Sequence, residues 1–129
     1  MSSEQHQTAE RAFARYLDNK KFIKMIAKAA RIDTLFIWQP IPTVDYITSL
    51  IPFNTFDELK EGSRIAMYAL VRDGIKRGEI KDVVWCASVG RNVNTLLYVD
   101  SVHYSPKMNE LVATCISEHV QGIVTQPLS

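Results

Sequence analysis

Two short apolar runs, Thr34–Gln39 and Val83–Ala87, stand on either side of a long stretch of helical periodicity. Neither run alternates apolar with polar residues, the pattern of a strand covered on both faces. Pro40 and Pro42 end the first. Between the runs, Thr55-Phe56-Asp57-Glu58 has the spacing of a capping box. The helix it opens is expected to reach about Arg77, with Phe56, Leu59, Ala66, Met67, Leu70 and Val71 as its inner stripe. Lys76, Arg77 and Gly78 are C-terminal signals. Helices separating short buried strands point to a layered α/β fold with a mostly parallel sheet.

Residues 8–31 read as a further helix, with Thr8 as N-cap and residues 1–7 as a disordered tail. Asp18-Asn19-Lys20-Lys21 interrupts its apolar stripe and points to two helices or to one with a break. Residues 40–54 form a long connection with three prolines. Gly90–Asn94 reads as a turn, and Thr95–Val99 as a third short extended run. Ser105 and Pro106 then have the N-cap and N1 identities of a last helix, whose stripe includes Met108, Leu111, Val112, Cys115 and His119. About three strands make a small sheet with exposed edges, so the chain reads as part of a larger sandwich or as something that pairs with a partner.

The chain has 129 residues, 47% hydrophobic and 22% charged, enough apolar content for a core. Its formal charge of +1 gives no reason to expect a nucleic-acid partner or an anionic membrane surface. No apolar run is long enough to span a bilayer. The polar start Met1–Gln7 lacks the apolar segment of a signal peptide, so by itself the chain reads as cytoplasmic. Cys86 and Cys115 show no CxxC spacing and are expected as buried free thiols in a reducing compartment. No cofactor or metal motif is found.

The residues best suited to chemistry are Asp100 and His103. A carboxylate three residues before an imidazole can turn to accept its Nδ1–H. That contact fixes the tautomer and leaves Nε2 as a general base. A capped turn beside an ordinary loop histidine would have the same spacing. Other candidates are weaker. Cys86 with His103 would be a thiol–imidazole pair, but Cys86 sits in an apolar strand pattern. His119 lies in the last helical turn, where an imidazole meets the helix dipole. A metal set of Asp100, His103 and His119 lacks a dense ligand motif. Trp38 and Phe53 suit a substrate cleft or core packing equally, whereas Gln39, Tyr46 and Tyr104 are the better candidate substrate contacts. Lys20, Lys21, Lys24 and Lys28 read as a solvated helix face.

The stretch from Leu97 through Asp100-Ser101-Val102-His103 to Ser105-Pro106, leading into Met108-Asn109-Glu110-Leu111, resembles the final sequence block of SGNH/GDSL hydrolases. Met108 stands where that family usually has Gly. Leu35–Pro42 is similar to the family's central strand and its Gln-Pro turn. The resemblance spans about residues 20–120. It implies a three-layer α/β/α, flavodoxin-like sheet, of which residues 1–129 would be a single partial, C-terminal unit. It also implies that Asp100 and His103 are the acid and base of a Ser-His-Asp triad hydrolysing an ester of a sugar, lipid or small alcohol through an acyl-enzyme.

The family's Gly-Asp-Ser nucleophile segment and its Gly-x-Asn-Asp oxyanion segment do not occur in this sequence. Gly62-Ser63 lies within a predicted helix, and Asn92 is a turn residue. The expectation is therefore an ester hydrolase portion that supplies Asp and His and is completed by an N-terminal half or a separate chain. The alternative is a non-catalytic module that binds a partner or itself through an exposed sheet edge. A nucleotide-binding α/β domain is disfavoured by the lack of a Gly-rich phosphate loop.

Overall fold

Helix α1 (Ser3–Ala30) is a single unbroken rod in the computed structural model, which describes residues 2–51 and 58–124. Its start differs from the expected Thr8 cap. The Ser2 hydroxyl accepts the Gln5 N–H at 3.2 Å, and the Gln5 side chain accepts the Ser2 N–H at 2.7 Å. This capping box satisfies two orphan donors and draws residues 3–7, expected as a tail, into the helix. The expected break at residues 18–21 is also absent. Lys20 is buried, so its aliphatic stem continues the inner stripe. Its ammonium donates to the Lys81 carbonyl and lies 5.3 Å from the centre of the Phe36 ring. Burial lowers the Lys20 pKa, against the raising effect of Asp82.

The chain divides into two compact units, Met1–Phe36 with Asp57–Asp82 and Ile37–Phe56 with Val83–Ser129. In the first, α1 packs on α2 (Glu58–Lys76). Ala9 and Ala27 of α1, Ala66, Tyr68 and Val71 of α2, and Ile80 form its buried apolar set. Helix α2 ends as expected: Gly78 takes a left-handed φ of 73°, and the Glu79 and Ile80 amides return to the Gly74 carbonyl. The Thr55–Glu58 capping box and Phe53 lie at or beyond the edge of the described residues.

The second unit holds strand β2 (Val83–Trp85), which pairs in parallel with β1 (Phe36–Trp38). The ladder closes with the Cys86 amide on the Trp38 carbonyl at 3.0 Å. Helix α3 (Pro106–Val124) begins at Ser105 and Pro106 as expected, the Met108 amide reaching the Ser105 hydroxyl at 3.4 Å. Leu97, Tyr98 and Met108 are fully buried, with Tyr46, Val89, Val93, Tyr104, Leu111 and Val112 packed around them. Gly90 sits against this cluster: a Cβ there would lie 2.7 Å from Leu97 Cδ1.

Two further expectations are overturned. The structure is mostly helical, with a two-stranded sheet among the described residues, and is not a three-layer, flavodoxin-like fold. Each strand has only three residues, too few to template a wide sheet. The run Thr95–Val99 does not add a third parallel strand, because the chain reverses and pairs Tyr98 with Tyr104 in an antiparallel bridge. The two cysteines are not free thiols. Cys86, at the end of β2, is joined to Cys115 of α3 by a disulfide. Their 29-residue separation hid this contact, which exists only once α3 packs against its unit.

Candidate acid–base site on the 98–104 loop

The loop is built by one carboxylate. Asp100 Oδ1 accepts the Val102 amide at 2.8 Å and the His103 amide at 2.7 Å. These bonds fold residues 100–103 into a tight turn, the use to which a loop aspartate is suited. The turn is closed below by the Val99 amide on the His103 carbonyl and the Ser105 amide on the Leu97 carbonyl, both at 2.9 Å. Tyr98 anchors it from inside the core. Its ring meets those of Tyr46 and Tyr104 edge to face, with centroids 5.2 and 5.7 Å away.

The second carboxylate oxygen faces the imidazole: Asp100 Oδ2 lies 2.6 Å from His103 Nδ1. His103 and the two backbone amides lower the Asp100 pKa to about 2. Asp100 is therefore an anion at neutral pH and can only accept, so Nδ1 must carry the proton. In the neutral ring, Nε2 is then the basic nitrogen. It makes no hydrogen bond among the described residues. The His103 side chain is 76% exposed and Asp100 50% exposed, so Nε2 stands in open solvent. Val99 precedes the turn and Val102 lies within it, and both are exposed, at 60% and 68%.

The other candidate residues separate into two groups. Gln39 is exposed. Tyr46 and Tyr104 spend their hydroxyls on the scaffold. Tyr46 donates to the Thr95 carbonyl at 2.8 Å and accepts the Leu97 amide at 3.1 Å. Tyr104 donates to the Pro40 carbonyl at 2.7 Å, and burial pushes its pKa up to about 12. Both tyrosines thus hold the loop on which the dyad sits. Trp38 is buried, as core packing requires. Cys86 is bonded to Cys115, so it offers no thiol to His103. His119 Nδ1 lies 2.7 Å from the Cys115 carbonyl, one turn back on its own helix. Among the described residues no cluster of three or more His, Cys, Asp or Glu side chains could hold a metal ion, and no helix is long and apolar enough to cross a membrane.

Asp45 was not singled out from the sequence. With φ of 54° it enters the left-handed region. It accepts from the Ser88 hydroxyl at 2.6 Å and pairs with Arg91 at 2.8 Å, while Trp85 Nε1 donates to the same hydroxyl at 2.7 Å. This network ties the Pro42–Tyr46 segment to the turn after β2. Its residues are remote in sequence, and no local motif announces them.

No protein-family model, curated protein or solved structure matches the chain.

Proposed function

We propose that the chain supplies the acid–base pair of a serine ester hydrolase of the SGNH/GDSL kind. Asp100 orients and stabilises the imidazole, and His103 Nε2 takes the nucleophile's proton. The observation that carries this reading is the 2.6 Å contact between Asp100 Oδ2 and His103 Nδ1, in an imidazole whose side chain is 76% exposed. The reading rests on the loop's own geometry and on the Leu97–Leu111 sequence block, not on a three-layer sheet.

The nucleophile and the oxyanion donors come, in this reading, from a polypeptide segment other than residues 1–129. That segment must also exclude water, since electrostatic stabilisation of an oxyanion weakens where solvent screens it. Val99 and Val102 give the dyad apolar flanks against which such a segment, or an acyl group, can pack. The same exposed valines favour a second reading, in which the loop is a docking surface and the dyad a structural turn.

The test is hydrolysis of a short-chain aryl ester by this chain, alone and together with a segment that carries a Gly-Asp-Ser nucleophile. The catalytic reading expects activity only in the complemented form, lost in His103→Ala and reduced by at least about a hundredfold in Asp100→Asn. Asn retains an oxygen for the Val102 and His103 amides, so the turn survives while the charge is removed. Complemented activity that survives His103→Ala overturns the catalytic reading. Association that survives His103→Ala but is lost in Val99→Ser/Val102→Ser, without any hydrolysis, supports docking instead.

A further inference from the structure

Helix α1 presents two stripes, and only one is used by its own unit. Ala9, Lys20 and Ala27 lie on the buried stripe. Phe22, Met25 and Ile26 lie on the opposite side, spaced i, i+3, i+4, and are 63%, 63% and 55% exposed. Three exposed large apolar side chains on one helical face are too concentrated to be scattered surface residues.

The charge around them has one sign. Residues 11–31 carry seven of the chain's fifteen Lys and Arg and a single acid, Asp18. Lys20 is turned inward and Lys24 is paired with Asp82. Lys21 and Lys28 border the apolar stripe and Arg15 lies two turns before Phe22 on its face; all three are exposed and have no ion-pair partner among the described residues. The formal charge of the whole chain, +1, hides this local excess because the acids lie elsewhere.

We propose that this face of α1 is an interfacial docking surface for an anionic lipid bilayer. An apolar stripe bordered by long cationic side chains suits the boundary between acyl chains and headgroups. Phe22, Met25 and Ile26 enter the acyl boundary, and Arg15, Lys21 and Lys28 extend to the headgroup phosphates. Asp18 lies one turn before Phe22 on the same face and is the one acid the surface must accommodate. The helix lies in the plane of the surface and does not cross it, as its 28 residues contain too many charges to span.

The experiment is flotation of the full chain with vesicles of phosphatidylcholine alone and of phosphatidylcholine mixed with phosphatidylglycerol. The expected result is binding to the mixed vesicles that falls with added salt. Lys21→Gln and Lys28→Gln should each weaken it about fivefold, the effect of one cation near an anionic surface. Phe22→Ser/Met25→Ser should abolish it while the helical circular-dichroism signal stays intact, since both side chains are exposed. Equal binding to both vesicle types, no binding to either, or unchanged binding by the Phe22→Ser/Met25→Ser variant overturns the proposal. So does self-association in sedimentation equilibrium that the same variant abolishes, which would assign the face to a second copy of the chain.

Discussion

Asp100 holds His103 twice, by its backbone amide through Oδ1 and by its ring through Oδ2, at 2.7 and 2.6 Å. One side chain thus builds the turn and orients the imidazole. Positioning and electrostatics cannot be varied independently by removing the carboxylate, which is why Asp100→Asn is more informative than Asp100→Ala.

The Asp100 carboxyl should titrate near pH 2 in a carbon-detected NMR titration, below its ordinary value of 3.8. His103→Ala should move that midpoint upward, yet leave it below 3.8, because the amides of Val102 and residue 103 still donate. The folded pKa is depressed, so the associated stability is present above the unfolded value and disappears as pH falls through about 2. An unshifted Asp100 in the folded protein would show that the turn does not form in solution.

Tyr104 should ionise late. Its folded pKa, raised to about 12 by burial, lies above the ordinary value of 10. Between these values the unfolded chain loses the proton and the folded chain keeps it, so stability declines as pH rises through that window. Tyr104→Phe should remove that part of the alkaline decline. At neutral pH it should cost about 1 kcal/mol in urea denaturation, the worth of one hydrogen bond, here to the Pro40 carbonyl. An unchanged alkaline limb would count against this burial.

Reducing Cys86–Cys115 should lower the unfolding free energy by about 3–4 kcal/mol, the loop-entropy value for a closed segment of this length. The measurement is urea unfolding with and without a dithiol reductant, repeated on Cys86→Ser/Cys115→Ser. The reduced wild type and the double variant should coincide. A reductant effect that persists in the double variant would show that it does not act through this bond.

Several elements were legible from local chemistry. Ser105-Pro106 opens α3, Gly78 closes α2, and both short apolar runs are strands, because caps and strand propensity act over a few residues. The Asp100–His103 pairing was legible for the same reason: its members are three positions apart. The Ser2–Gln5 capping box was also present in the sequence, and only the polar character of the first seven residues concealed it.

What the sequence by itself determined, then, was element type and the local Asp–His turn. Tertiary structure decided the rest. Whether Thr95–Val99 joined a sheet depended on the reversal that pairs Tyr98 with Tyr104, and whether two thiols met depended on where α3 packs. Lys20 could be solvated or buried by its side-chain chemistry alone; the Lys81 carbonyl and the Phe36 ring selected burial. Local free energies bias each segment, but the partner that satisfies a buried group is set by how the chain returns on itself, over as many as the 61 positions from Lys20 to Lys81, which no short pattern encodes.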